Sequence, residues 1–172
     1  MSMSSHTVVN FSCLDHVAYV ELDRPEVSNS LNTESLHLLQ TILKEIRTRS
    51  DIWVVCFSGA GNRAFCAGAD LKERKSMSPE EVETFVLAIR STMNAIAQLP
   101  QPTLAAINGH AFGGALGIIA ASDYSLSFKK SRFCFSEVKL GLVPAMIAPY
   151  IMRSIGYRET KKLFLTGEVF DA

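Results

Sequence analysis

The chain has 172 residues, 48% of them hydrophobic, and seventeen Lys and Arg balance seventeen Asp and Glu. That length suits one domain with a sizeable core, and the charge balance supplies no global field for nucleic acid or an anionic membrane. The cysteines, Cys13, Cys56, Cys66 and Cys134, are scattered with no CxxC and no matching His pair, which argues against a zinc site or disulfide framework and fits a reducing compartment.

The longest apolar stretches are too short and too broken by glycine to span a bilayer. Residues 1–7 are polar and hold neither an apolar signal core nor an Arg-rich transit pattern. A soluble, intracellular protein, cytoplasmic in location, is the expectation. No repeat, low-complexity tract or linker divides residues 1–172, so they read as a single domain.

Residues 17–22 read as a strand, hairpinned with residues 7–12 across Asp15-His16 and stopped by Asp23-Arg24-Pro25. From residue 32 to 49 the apolar positions Leu36, Leu39, Leu43 and Ile46 recur with helical period. Lys44, Arg47 and Arg49 on that helix are interleaved with Glu45 and Asp51, which marks a solvated face rather than a nucleic-acid patch. Residues 52–57 form an apolar, β-branched run suited to a buried strand.

Gly59-Ala60-Gly61-Asn62-Arg63-Ala64 matches G-x-G-x-x-A after a strand, but a dinucleotide fingerprint must open a helix immediately. Here residues 65–69 continue as an irregular small-residue segment. A helix is expected only from Asp70, with Glu73 at capping-box spacing. Ala67-Gly68-Ala69 then reads either as a loop presenting backbone amides at a helix start or as a plain connection.

Ser78-Pro79-Glu80-Glu81 is a helix start, with an N-cap, a proline in the first turn and an acid three residues on. Val82, Phe85, Val86, Ile89, Met93 and Ile96 mark its buried stripe. Residues 103–107, fenced by Pro100 and Pro102, read as a buried strand leading into Asn108-Gly109-His110-Ala111-Phe112-Gly113-Gly114. If a helix starts at the second glycine of that pair, its first N–H groups lack intrahelical partners and suit an anionic oxygen. The alternative is a Gly-rich turn beneath a buried helix. Strands are expected at residues 123–128 and 133–135, and helices at 146–155 and 158–165 with Gly156 between them. Strand and helix alternate, so the class is α/β.

Read together, these pieces resemble the crotonase superfamily of enoyl-CoA hydratases and isomerases. The resemblance rests on Leu22-Asp23-Arg24-Pro25-Glu26 with Asn29 and Leu31, and on residues 64–73. The stretch from Asn108 to Gly114, and Phe135-Ser136-Glu137 followed by Gly141-Leu142-Val143-Pro144, complete it. It implies a spiral of ββα turns, with a C-terminal helical region beyond Ala172 that completes an acyl-CoA site and mediates assembly of a trimer or dimer of trimers. The chain is therefore expected to be incomplete at its C-terminus.

The resemblance also implies roles. The amides of Ala69 and Gly114 would grip the thioester oxygen, and Glu137 would be the acid/base. Glu26, Val27, Ser28, Ala67, Gly68, Asp70, Leu71, Gly113 and Pro144 would line the acyl-CoA groove. CoA belongs to the substrate, and no separate cofactor or metal is implied. Hydratases of the family place a second glutamate one helical turn after Gly114, where this chain has Gly117.

Residues 65–78 look most like 3-methylglutaconyl-CoA hydratases, whose branched substrate carries a distal carboxylate that Lys72, Arg74 or Lys75 could meet. Isomerases of the family manage with one glutamate, so a Δ3,Δ2-enoyl-CoA isomerase is the second expectation. An inactive acyl-CoA-binding remnant is the third. His110 and Cys66 read as packing residues, not as base and nucleophile.

Overall fold

The computed structural model describes residues 7–172, and the reading of residues 1–6 as free of a targeting signal lies outside them. Strands β1 (Val9–Leu14) and β2 (Val17–Leu22) form an antiparallel hairpin that pairs Leu14 with Val17. Its turn residues, Asp15 and His16, have φ of 48° and 67°, the positive values that a two-residue hairpin turn demands. The first strand thus runs two residues later than residues 7–12.

Helix α1 (Thr33–Thr48) starts where Asn32 Oδ1 accepts from the Ser35 amide at 2.8 Å, and it buries Leu36, Leu39, Ile42, Leu43 and Ile46. Strand β3 (Val54–Gly59) follows. The segment expected to be irregular then contains a short strand, β4 (Ala64–Cys66), every residue of which is buried. Helix α2 (Leu71–Ser76) is capped by Asp70, whose Oδ1 accepts from the amides of Lys72 and Glu73. Glu73 does not close the capping box. Its carboxylate accepts from the Thr33 amide instead, tying α2 to the start of α1. Helix α3 (Pro79–Ala97) does have the reciprocal box between Ser78 and Glu81.

Strand β5 (Thr103–Ile107) is followed by β6 (His110–Phe112), a second short strand where a turn was expected, then by helix α4 (Ala115–Ala121). Strands β7 (Tyr124–Ser127) and β8 (Arg132–Cys134) lead to a 3-10 turn, Ser136–Leu140. Helix α5 (Ala148–Thr166) is broken at Gly156, with φ 79° and ψ 161°, as the glycine predicted. A last strand, β9 (Val169–Asp171), pairs antiparallel with β8.

Two sheets result, one in the order β1-β2-β3-β5-β7 and one in the order β4-β6-β8-β9. Successive strands β3, β5 and β7 enter the first sheet in parallel, while β4, β6 and β8 enter the second in parallel. Each pass of the chain therefore gives one strand to each sheet before a helix carries it onward, which is a ββα spiral. Phe65, Phe135, Met93, Ile96, Ile118 and the α1 leucines fill the core.

Beside and within α5, Met146 and Phe164 are half-buried, as is Phe170 on β9. Ile147, Ile151 and Leu163 are buried, while Val169 is exposed. The most exposed large apolar side chains include Tyr124, Leu126 and Phe128 on or beside the edge strand β7, Tyr157 and Leu165 on α5, Val143 ahead of it, and Leu14 and Trp53. None of the helices among the described residues is long and apolar enough to cross a membrane.

Candidate active site

Four pieces of chain meet at one cavity of about 160 Å³: residues 67–71 after β4, Gly113-Gly114 after β6, the Ser136–Leu140 turn after β8, and residues 142–147 before α5. The first three follow successive strands of the small sheet, so the spiral stacks their loops at one end. Val86 and Ile89 of α3 supply a further apolar wall.

The loop of residues 67–70 is held from behind. Ala67 N–H donates to Ser28 O at 3.0 Å, Leu31 N–H donates to Gly68 O at 2.7 Å, and Asp70 N–H donates to Leu31 O at 2.8 Å. Gly68 has φ of 84°, and a Cβ there would lie 2.7 Å from Phe112 O and 3.1 Å from the Gly114 nitrogen. Only glycine combines that backbone with that approach. The Ala69 nitrogen in turn lies 4.0 Å from where a Gly114 Cβ would be. Neither the Ala69 nor the Gly114 N–H donates to an acceptor among the described residues. Two unused donors thus stand side by side at the cavity wall, one of them at the start of α4. That arrangement suits an oxygen on which negative charge develops.

Glu137 faces them from the turn after β8. A Cβ on Gly113 would lie 3.2 Å from Glu137 Oε1 and 3.7 Å from its Oε2, so the absent side chain is what admits the carboxylate. Oε2 is buried and has no hydrogen-bond partner among the described residues. Burial pushes the Glu137 carboxyl above its ordinary range, a bond to its own backbone opposing this in part. A half-buried carboxylate with one oxygen left unpartnered at a cavity wall is poised to take up and release a proton.

The expected site residues divide clearly. Ala67, Gly68, Ala69, Leu71, Gly113, Gly114, Glu137 and Pro144 line the cavity. Glu26, Val27 and Ser28 do not, for they form a 3-10 turn behind the loop, and Ser28 meets it through its carbonyl. The Asp70 carboxylate turns away to cap α2 and pair with Arg24. Gly117 is also outside the cavity. A side chain there would run into Ile147 Cγ2 and come within 2.9 Å of Met93 Sδ, so apolar groups already occupy the space a second glutamate would need.

His110 Nδ1 accepts from the Arg132 amide at 3.1 Å and is absent from the cavity lining, consistent with packing rather than base chemistry. Cys66 is buried, its thiol pushed up to about 12, and its Sγ accepts from the Gly68 amide. Of the three cations near α2, only Arg74 lines the cavity. Its side chain has no hydrogen-bond or ion-pair partner among the described residues. Its spacing of three from Leu71 puts the two on one helix face, a signal the sequence held. Val86, Ile89, Leu142 and Ile147 were not foreseen as lining residues, because they come from elements far apart in sequence.

The enoyl-CoA hydratase/isomerase family profile matches residues 14–172. YngF of Bacillus subtilis is 38% identical over 154 residues, 89% of this chain and 59% of that protein. The (E)-benzylidenesuccinyl-CoA hydratase of Thauera aromatica is 36% identical over 166 residues, 95% of this chain and 64% of that protein. The crystal structure of an enoyl-CoA hydratase from Bacillus anthracis superposes with a TM-score of 0.92 at 38% identity, over 96% of this chain and 65% of that one. The chain spans less than two-thirds of the length of each of these relatives.

Proposed function

The chain belongs to the enoyl-CoA hydratase/isomerase family, and from that premise we propose that it hydrates a 2-enoyl-CoA thioester, with Glu137 as its single acid/base. The observation that carries this is the half-buried Glu137, its carboxylate oxygen Oε2 buried and unpartnered, across one cavity from the free N–H groups of Ala69 and Gly114.

The steps follow from the chemistry. The two amides hold the thioester oxygen, each donor contributing about 3 kcal/mol once charge moves onto it. Glu137 takes a proton from water as the hydroxyl adds to the β-carbon, and the electron pair of the double bond moves into the enolate. The same carboxyl then returns the proton to the α-carbon. Because the amides stabilise the enolate, the reaction asks for no cofactor beyond the CoA of the substrate.

The acyl group would carry a distal carboxylate, as in 3-methylglutaconyl-CoA, held by the unpartnered Arg74 guanidinium. Support comes from the rest of the wall, which is largely apolar. It comes also from the relative in Thauera aromatica, whose name specifies a succinyl thioester. Assembly as a trimer or a dimer of trimers and a cytoplasmic location complete the proposal.

A second reading, Δ3,Δ2-enoyl-CoA isomerase, is favoured by Ile147 and Met93 filling the space beside Gly117. One base suffices there, moving a proton from the α-carbon to the γ-carbon. Incubation with 2-enoyl-, 3-enoyl- and 3-methylglutaconyl-CoA, with mass analysis of the products, separates the readings. Gain of one water supports hydration, migration at constant mass supports isomerisation, and tight binding without product supports an inactive acyl-CoA-binding chain.

A further inference from the structure

Behind the loop that carries the Ala69 amide lies a buried polar network to which no role has yet been given. Arg24 Nη2 pairs with Asp70 Oδ2 at 3.0 Å, the two side chains only 16% and 12% exposed. Arg24 Nη1 donates to Ser30 O at 2.7 Å, and the Arg24 amide donates to Asn29 Oδ1 at 3.0 Å. Asn29, itself buried, donates through Nδ2 to the carbonyls of Ala60 and Ala64 on either side of the turn into β4. Ser28 and Asn29 have φ of 56° and 55°, a left-handed backbone that costs a residue with a side chain and persists only where its surroundings fix it.

These bonds converge on residues 67–70. Leu31, one residue after Ser30, bonds to Gly68 O and to the Asp70 amide, so the peptide units around Ala69 are fixed while its own N–H is left for the cavity. The charges matter as well. An ionised Asp70 beside the loop would repel a negative oxygen held by Ala69. Burial alone would raise the Asp70 carboxyl, but the Glu73 amide and the Arg24 guanidinium outweigh it and hold the group below its ordinary range, so it is ionised. Arg24 neutralises it at 3.0 Å. Burying an ion pair is seldom the cheapest route to stability, which points to placement as its use.

We propose that Arg24 and Asp70 are positioning residues for the thioester-binding amide of Ala69, fixing its direction and cancelling the carboxylate charge behind it. This rests on the assignment of Ala69 and Gly114 as the oxygen-binding donors.

The test uses a 2,4-dienoyl-CoA, whose ultraviolet band moves to the red when its thioester oxygen is polarised by hydrogen bonds. With the parent chain and with Glu137→Gln the band is expected to shift on binding. With Arg24→Met the shift should fall by half or more, and kcat should fall about 10-fold or more while KM changes less than about 3-fold. Arg24→Lys should recover part of both. Asp70→Asn, which keeps an oxygen for the α2 cap and nearly the same side-chain shape, should also reduce the shift, and it serves where Arg24→Met fails to fold. A full band shift in folded Arg24→Met or Asp70→Asn overturns the positioning role alone. No shift in the parent chain overturns the Ala69–Gly114 assignment and the positioning role with it.

Discussion

Glu137 occupies the room left by the missing side chain of Gly113. A Cβ on that glycine would stand 3.2 Å from the carboxylate oxygen Oε1 and 3.6 Å from its carbon. Gly113 also has φ of 56°, which disfavours any other residue. Gly113→Ala should therefore act twice. The fold should lose about 1–2 kcal/mol from the left-handed backbone, and the displaced carboxylate should cost about 10-fold or more in kcat. Denaturant melts and steady-state kinetics on one preparation separate the two effects.

The raised Glu137 carboxyl sets a pH dependence whose direction differs for rate and stability. The ionised form is the base, so activity should fall as pH drops through a pKa above the ordinary 4.5. For stability the sign is opposite. A carboxyl whose folded pKa lies above its unfolded value stabilises the fold at low pH, and this contribution is lost as pH rises through the folded pKa. Glu137→Gln removes the charge that burial penalises. Its melting temperature at neutral pH should equal or exceed the parent's, and the difference should shrink as pH falls toward 4. A clear loss of stability at neutral pH would show the carboxylate to be paired, not stranded.

Gly117 stands where the hydratases this chain resembles carry their other glutamate, yet restoring it should not restore a second acid. Ile147 and Met93 already fill the position. Gly117→Glu alone should destabilise by about 1–3 kcal/mol through overpacking, lowering the melting temperature by about 2–12 °C, with no gain in hydration. Adding Ile147→Ala to Gly117→Glu should relieve much of the loss. A well-folded single variant with faster hydration would mean that the space is open.

Arg74→Gln tests the acyl end of the cavity. A charge-assisted bond to a substrate carboxylate is worth about 1.5–3 kcal/mol. KM for 3-methylglutaconyl-CoA should therefore rise about 10-fold or more, while crotonyl-CoA should change less than about 3-fold. Equal effects on both thioesters would take Arg74 out of substrate selection.

Much of this arrangement was legible in local sequence, because local chemistry produces it. Asp70 and Ser78 announce two helix starts, Gly156 announces a break, and all three act as read. Strands β4, β6 and β9 were missed, each only three residues long, although β8 of the same length was read. The site was legible only where one stretch supplies it, as with Gly113-Gly114 or Phe135-Ser136-Glu137. That Glu137 lies against Gly113, or that Ile147 closes the room beside Gly117, depends on elements tens of residues apart meeting across the spiral. Single-residue spacing carries no record of such meetings. Asp70 shows the same limit: the motif marked it for the acyl-CoA groove, while its carboxylate is committed to α2 and Arg24.

Hydration and isomerisation share one event, movement of a proton at the α-carbon by Glu137. Turnover in deuterated water, with deuterium at the α-carbon of a hydrated product or at the γ-carbon of an isomerised one read by mass spectrometry, measures it directly. The parent chain is expected to place deuterium there on every turnover that exchanges with solvent. Glu137→Gln should bind the thioester with the parent's affinity yet incorporate label about 10²-fold more slowly or worse. Incorporation by Glu137→Gln at the parent's rate would contradict the assignment of Glu137 as the acid/base.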